Sequence, residues 1–83
     1  MSEEILNERE KTHGDYKAVA AVAQSIKTAL HLGKNNLPYI AQESLELIAT
    51  KMARIVCGDW REKDHWDDIS GYALLISREL KDE

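Results

Sequence analysis

Glycine and proline interrupt the chain at three places and divide it into four segments of helical length. Gly14 and Gly58 mark two of these interruptions, and Gly33 with Pro38 marks the third. Glycine is common just past the end of a helix, and proline is common at its first residue. No segment shows the alternation or β-branched richness of a strand. The chain is therefore predicted to be all-α, a small antiparallel bundle of one short and three longer helices.

Capping residues predict where each helix begins. Ser2 is the expected cap of the short helix, which runs from Glu3 to about Arg9. A turn over residues 12–15 then ends in Asp15, the expected cap of the next helix. The longer helices are predicted over residues 16–32, over residues 38–57 with Pro38 as the first helical residue, and from the cap Asp64 to about Lys81.

The short chain limits how much surface a single copy can bury. Its 83 residues make one domain, residues 1–83, and a chain of this size buries only about 60–65% of its unfolded surface. Cys57 is the only cysteine, which excludes a disulfide within one chain and a cysteine-rich zinc site. We therefore expect self-association, as a dimer or a higher oligomer.

Charge and hydropathy exclude two classes of partner. The 15 acidic and 11 basic residues give a net charge of −4, so general binding to nucleic acid is not expected. The longest apolar-leaning stretch, residues 18–32, contains polar side chains and is too short to span a membrane. The first residues carry no signal-peptide pattern. We expect a cytoplasmic protein with no membrane contact.

Helical periodicity predicts the buried faces of the last two helices. The expected core stripe of the third helix is Ala41, Leu45, Ile48, Met52, Ile55 and Val56. That of the fourth is Trp66, Ile69, Tyr72, Ala73, Ile76 and Leu80, with His65 at its edge. Gly71, Leu74 and Leu75 lie away from this stripe, and Trp60 lies in a polar loop. These four residues are the predicted interface for a second subunit or another protein.

Two acidic groups form the only pattern that suggests metal chemistry. Glu43 and Glu46 share one face of the third helix, and Asp64, Asp67 and Asp68 follow at the start of the fourth. Carboxylates converging in a helical bundle would suit Mg²⁺ or Mn²⁺. In antiparallel helices the two groups lie at opposite ends, so they meet only if the helices cross obliquely or a second subunit intervenes. The alternative is a solvated face plus an acidic helix start.

This spacing resembles the ExxE…ExxD pattern of the all-α nucleotide pyrophosphohydrolases of the MazG type. The resemblance implies an oligomeric helical bundle that cleaves nucleoside triphosphates to a monophosphate and pyrophosphate with Mg²⁺ or Mn²⁺. Glu43 and Glu46 match the first pair, and Asp64 and Asp67 match the second. Asp64 stands where the pattern has Glu, and the resemblance assigns no catalytic residue.

A longer resemblance covers most of the chain, from about Leu6 to Leu80. Residues 7–16, residues 43–55, Gly58-Asp59 and residues 64–73 together resemble a family of short phage and prophage proteins without an assigned activity. The resemblance implies a phage-type accessory protein that acts in the host cytoplasm.

Lys51, Arg54 and His13 are the candidate phosphate-binding residues. The two cations also lie where the helix dipole favours positive charge, and His13 could instead stabilise its turn. His65 is interpreted as a partly buried histidine that bonds a neighbouring carboxylate.

Two classes of function follow. We expect a phage-type accessory role that is non-catalytic or nucleotide-linked, as in a degenerate MazG-like nucleotide-binding module. Catalysis as a Mg²⁺- or Mn²⁺-dependent nucleoside triphosphate pyrophosphohydrolase is the minority hypothesis. The alternative is an inhibitor or adaptor that acts on a host defence protein, for which an acidic surface could occupy a basic channel. Sequestration of a nucleotide signal without cleavage belongs to this second class.

Overall fold

The computed structural model describes residues 3–80, which contain four α-helices and no strand. The helices are α1 (Glu3–His13), α2 (Tyr16–Ala29), α3 (Tyr39–Cys57) and α4 (Lys63–Glu79). Within this range no helix is both long enough and apolar enough to cross a membrane. The prediction of a small all-α helical bundle is confirmed.

The central helix α3 holds the bundle together. It packs against α1, α2 and α4, whereas α2 and α4 do not come within contact distance of each other over residues 3–80. Val19 and Ala23 near the start of α2 contact Ala53 near the end of α3. Lys51 of α3 pairs with Asp68, near the start of α4. Both neighbours therefore run antiparallel to α3, in an open bundle that measures 50 × 25 × 22 Å.

The connection between α1 and α2 is set by one glycine and one aspartate. Helix α1 continues to His13, one turn beyond the predicted end at Arg9, because the Gly14 N–H donates to the carbonyl of Glu10 at 2.9 Å. Gly14 has φ +86°, a left-handed conformation that ends the helix. Asp15 then caps α2, as predicted, by accepting a hydrogen bond from the backbone N–H of Ala18 at 3.3 Å.

The segment between α2 and α3 differs from the prediction at both ends. Helix α2 ends at Ala29 instead of Leu32, and the chain then turns through His31 and Gly33, which have φ of 57° and 89°. Pro38 occupies the cap position with an extended backbone, so the first residue of α3 is Tyr39. The difference at Pro38 is one residue, within the usual uncertainty of a helix boundary.

The predicted cap of α4 is wrong. Glu62 occupies the cap position without a side-chain hydrogen bond, the helix begins at Lys63, and Asp64 lies inside its first turn. A carboxylate in the first turn is favoured by the helix dipole without being a cap, which explains why Asp64 resembled one in the sequence. The helix ends at Glu79, and the predicted end at Lys81 lies outside the described residues.

The buried core consists of small side chains. Within residues 3–80 the buried hydrophobic residues are Val19, Ala23, Ala49 and Ala53. Small residues allow two helices to approach closely, and the contact between α2 and α3 is built in this way. Each such side chain removes little apolar area from water, so this core contributes less stability than a core of leucines would.

The predicted core stripes are therefore wrong in part. In α3, Leu45 and Met52 are each 37% exposed and Val56 is 73% exposed, because nothing in the described chain covers that side of the helix. In α4, Trp66, Ala73 and Leu80 are exposed. The half-buried members of the two predicted stripes are Ala41, Ile48, Ile55, Ile69, Tyr72 and Ile76.

Candidate functional site

Helix α1 is fixed to the end of α3 by direct contact between backbones. A Cβ atom added to Gly14 would lie 2.7 Å from the backbone and side chain of Cys57. A Cβ atom added to Gly58 would collide with the carbonyl oxygen of Thr12 and lie 2.7 Å from the N atom of Gly14. The Asp59 N–H also donates to the Thr12 carbonyl at 3.1 Å. The glycine contact, defined as Gly14 against Cys57 and Gly58 against Thr12, therefore requires glycine at both positions.

A pair of histidines lies beside the glycine contact. His13 ends α1, and His65 lies in the first turns of α4. The Nδ1 atom of His13 is 3.1 Å from Nε2 of His65, and the ring centroids are 4.8 Å apart. His65 has no exposed surface, so the prediction that it lies at the edge of the core and bonds a carboxylate is wrong. Its bonding partner is another imidazole.

The surroundings of the two rings indicate their tautomers. Nε2 of His65 also lies 3.4 Å from the carbonyl oxygen of Thr12, which can only accept a hydrogen bond. The proton of His65 is therefore best placed on Nε2, where it is shared by the Thr12 carbonyl and Nδ1 of His13. Nδ1 of His65 is buried and has no hydrogen-bond partner within residues 3–80, which suits a nitrogen without a proton better than an N–H.

Burial and neighbouring cations keep His13 neutral. Partial burial lowers the pKa of His13 below its ordinary value of 6.5, and His65, Arg54 and Lys51 lower it further. Glu62 acts weakly in the opposite direction. A charged imidazolium here would lose hydration and face like charges. His13 is thus an uncharged group with its ring among basic side chains.

A basic cleft lies between α1, the start of α2 and the second half of α3. Its volume is about 480 Å³, and it is lined by Leu6, Arg9, Glu10, His13, Gly14, Tyr16, Lys51 and Arg54. This volume is within the range of roughly 300–1,000 Å³ typical of small-molecule sites. The structure brings together here all three residues predicted to bind phosphate, His13, Lys51 and Arg54.

The cations of the basic cleft differ in how they are engaged. The ammonium of Lys51 is 2.7 Å from a carboxylate oxygen of Asp68, and the Lys51 side chain is 20% exposed. Arg9 and Arg54 form no salt bridge within residues 3–80. Against three cationic side chains the cleft carries one acidic side chain, Glu10. The guanidinium groups of Arg9 and Arg54 are therefore available to bind an anion.

The predicted metal ligands take separate partners. Glu46 accepts a hydrogen bond from Gln42 at 3.0 Å, and Glu43 lies beside an apolar groove between α3 and α4. Asp67 pairs with Lys63 at 2.6 Å. Asp68 pairs with Lys51, and this hydrogen bond lowers the pKa of the Asp68 carboxyl. Each of these interactions satisfies a carboxylate locally.

The chain does not bring these carboxylates to one point. Within residues 3–80 no group of three or more His, Cys, Asp or Glu side chains is arranged to hold a metal ion. Glu43 shares its groove with Glu79, near the end of α4, whereas Asp64 lies at the start of that helix. The expectation that the two groups lie at opposite ends of the antiparallel pair matches this arrangement. Convergence on Mg²⁺ or Mn²⁺ stays a prediction that requires a second chain.

The four predicted interface residues are all at the surface. Leu74 and Leu75 are 55% and 56% exposed, and the Trp60 side chain is 66% exposed, although its carbonyl accepts a hydrogen bond from Nε1 of Trp66 at 2.8 Å. A Cβ atom added to Gly71 would meet nothing within 4 Å. These positions are accessible to a partner, and self-association through them stays a prediction.

Sequence reasoning missed the histidine pair and five of the eight residues that line the basic cleft, among them Arg9 and Tyr16. Arg9 and Tyr16 line the basic cleft, although in the sequence nothing distinguishes them from other helix residues. The missed signal was positional, because His13 precedes a glycine at one helix end and His65 lies in the first turns of another. Neighbours 52 residues apart in sequence are not visible without the fold.

Comparison of the chain with models of protein families, with curated proteins and with solved structures found no match. The resemblances to MazG-type pyrophosphohydrolases and to short phage proteins therefore stay predictions. The geometry of the basic cleft and of the exposed apolar surface is what supports a function.

Proposed function

We propose that this chain binds a phosphate-bearing small molecule, a nucleotide in the first place, in the basic cleft and does not turn it over. The observation that carries the proposal is the meeting of Arg9 from one helix with Lys51 and Arg54 from another around a single cleft. Guanidinium groups bind phosphate through paired N–H donors, which gives both charge and orientation.

The shape of the cleft fits a nucleotide better than a free phosphate ion. Its volume of about 480 Å³ exceeds what one phosphate group needs. Tyr16 is 75% exposed at its margin, where its ring could stack on a base. Leu6 adds an apolar wall to the same cleft. A nucleotide site needs positive charge for the phosphates and apolar or aromatic surface for the base, and the cleft has both.

Binding without turnover is favoured because none of the predicted metal ligands lines the basic cleft. Of the predicted metal ligands, Asp68 alone reaches a cleft residue, and it is occupied with Lys51. Cleavage of a phosphoanhydride needs a positioned nucleophile in addition to charge stabilisation. The role that fits is that of a phage-type accessory protein in the host cytoplasm, self-associating, which retains a nucleotide or a nucleotide signal.

Isothermal titration calorimetry with ATP, ADP and orthophosphate tests the proposal. Arg54→Ala and Arg9→Ala should each weaken ATP binding roughly tenfold to hundredfold, because a hydrogen bond to a charged group contributes about 1.5–3 kcal/mol. Arg78→Ala is the matched control, since Arg78 lies in the last turn of α4, at the other end of that helix from Asp68, which pairs with the cleft residue Lys51. If none of the three probes gave a heat of binding, the proposal would be contradicted.

A turnover assay separates binding from catalysis. Purified protein incubated with each nucleoside triphosphate and Mg²⁺ or Mn²⁺ should release no pyrophosphate. Release that disappears in both Glu46→Ala and Asp67→Ala would instead establish the pyrophosphohydrolase activity implied by the MazG resemblance.

A second candidate function is that of an inhibitor or adaptor that acts on a host protein. It is favoured by the number of large apolar side chains at the surface, among them Tyr39 at 92% and Trp60 at 66% exposure. Pull-down from host lysate with the wild-type chain and with Trp60→Ala tests it. A host protein retained by the first and lost by the second would support the adaptor role, and a bait that captures only itself would argue against it.

A further inference from the structure

The folded chain exposes more surface than a compact protein of its mass. Its accessible surface is 6530 Å², whereas a compact monomer of 9.4 kDa exposes about 5,000 Å². Its radius of gyration is 14.4 Å, against about 12 Å for a compact domain of 83 residues. The excess of about 1,500 Å² is larger than the roughly 800 Å² that each partner buries in a standard interface.

Part of this extra accessible surface belongs to a continuous apolar face on α3 and α4. A groove of about 320 Å³ between the two helices is lined only by apolar side chains: Ile48, Met52, Ile55, Val56, Trp66 and Ile69. Val56 is 73% exposed, Trp66 is 51% exposed and Met52 is 37% exposed. Contiguous apolar surface of this kind on a small monomer marks a place where another surface packs. These six residues are called the α3–α4 face below.

We propose that two copies of this chain pack against each other through the α3–α4 face, related by a two-fold axis. In such an interface the same patch is used twice and must complement itself. The face contains both elements of that fit, because Val56 and Trp66 protrude beside the half-buried Ile48, Ile55 and Ile69. The proposal is independent of nucleotide binding, since none of these residues lines the basic cleft.

Charge favours this face over the other exposed groove. The second groove, at the start of α3 and the end of α4, contains apolar residues such as Ile40 and Leu75 but also Glu43 and Glu79. A two-fold contact through it would bring two pairs of like charges together, which is unfavourable at a dehydrated interface. The α3–α4 face carries no ionisable side chain, so a chain with a net charge of −4 can self-associate there without burying repelling groups.

The apolar pattern of α3 also favours the α3–α4 face as the dimer interface. Leu45, Ile48, Met52, Ile55 and Val56 form the stripe that helical periodicity predicts as core, and residues 3–80 leave much of it uncovered. Helix α2 instead packs where the side chains are small, at Ala53. A second copy that covers the stripe would give these side chains the environment for which their spacing is suited.

Light scattering after size exclusion, repeated over a range of loading concentrations, tests the proposal. The wild-type chain should show twice the 9.4 kDa mass of one chain and dissociate on dilution. Val56→Glu and Met52→Glu should each raise the dissociation constant by at least about tenfold, because a carboxylate would be buried in the face. Leu30→Glu is the matched control, since Leu30 is 53% exposed at the end of α2, and it should remain dimeric.

A spectroscopic measurement covers the case in which a glutamate variant fails to fold. In Trp60→Phe the one remaining tryptophan is Trp66, whose emission should move to longer wavelength as the protein is diluted and its ring is exposed. Emission that does not change on dilution would overturn the proposal. So would a wild-type chain that is monomeric at every concentration, or dissociation by Leu75→Glu together with an intact Val56→Glu dimer.

Discussion

The two ends of α3 are packed in opposite ways. At its C-terminal end the glycine contact brings two backbones together and encloses a wholly buried histidine. At its N-terminal end Tyr39 and Ile40 are 92% and 53% exposed, and the helix is flanked by an open groove. The glycine contact closes one side of the C-terminal end, whereas the rest of α3, including Met52 and Val56 of the α3–α4 face, presents apolar side chains to solvent. Stability and partner binding should therefore respond to mutations at different places.

The largest effect is expected from Gly58→Ala. The new methyl group would collide with backbone atoms of Thr12 and Gly14, which cannot move unless α1 leaves its position. We expect the free energy of unfolding to fall by about 3 kcal/mol. Urea denaturation followed by circular dichroism, at one fixed protein concentration, measures it.

Gly71→Ala is the matched control for that substitution. Gly71 lies inside α4, and a methyl group there meets nothing within 4 Å. Alanine is the better helix former, so this variant should gain about 0.5–1 kcal/mol. If both substitutions lowered the free energy of unfolding equally, the distinction between the closely packed glycine contact and the exposed surface of α4 would be contradicted. Loss of the dimer in Gly71→Ala would assign the interface to the other side of α4.

A smaller loss is expected from His65→Ala. His65 is fully buried, and its removal leaves a cavity and deprives His13 of a hydrogen-bond partner. We expect a destabilisation of about 2–3 kcal/mol. Leu75→Ala, at a site that is 56% exposed, should change the unfolding free energy by less than about 0.5 kcal/mol. If Leu75→Ala were the more destabilising of the two, the groove between the start of α3 and the end of α4 would be a second core.

The third effect is a dependence on pH that arises from His13. Its pKa in the folded chain is below 6.5, so the unfolded chain binds the proton more readily. Stability is therefore complete above pH 6.5 and falls as the pH drops from there through the lowered pKa. His13→Gln should flatten this slope in urea titrations taken above and below pH 6.5. A slope that persists in His13→Gln would assign it to another group.

The smallest effect is expected from Lys63→Ala. The ammonium of Lys63 lies 2.6 Å from Asp67, but both side chains are largely exposed, at 83% and 54%. Solvent screens such a pair, and the long side chain loses entropy on pairing. Thermal unfolding should be indistinguishable from the wild type, as it should for Asp67→Ala. A clear loss in both would mean that Asp67 has a role beyond this ion pair.

Local features of the fold were predictable from the sequence. The number of helices and the cap at Asp15 depend on neighbours a few residues apart, which the sequence displays directly. Asp64 misled because an acidic residue at a helix start is equally favourable as a cap or inside the first turn. The choice between the two depends on where the preceding loop lets the helix begin.

The packing of α3 was not predictable in the same way. Periodicity ranks Leu45, Met52 and Val56 as core because they are large and apolar. In the fold the buried contact with α2 is instead made by Ala53, because a small side chain allows α2 to approach closely. Hydrophobicity alone does not distinguish a stripe that packs within the chain from one that packs against a partner.

Three residues of the basic cleft were predicted, but the cleft itself was not. His13, Lys51 and Arg54 were identified singly, as groups suited to phosphate. Arg9 and Tyr16 join them only because the glycine contact positions α1 against the end of α3. That contact depends on two residues separated by 44 positions, and it has no signature in a linear pattern.

Lys51 connects the basic cleft with α4, as does the contact between His13 and His65. Its ammonium carries three N–H donors, and Asp68 of α4 uses one of them at 2.7 Å while the same side chain lines the basic cleft. The other two donors remain for an anion in the cleft, so Lys51 can bind an anion and Asp68 at the same time. An anion in the cleft would thereby offset part of the charge that Lys51 presents to Asp68, so occupancy would alter an ion pair of α4 that lies outside the cleft.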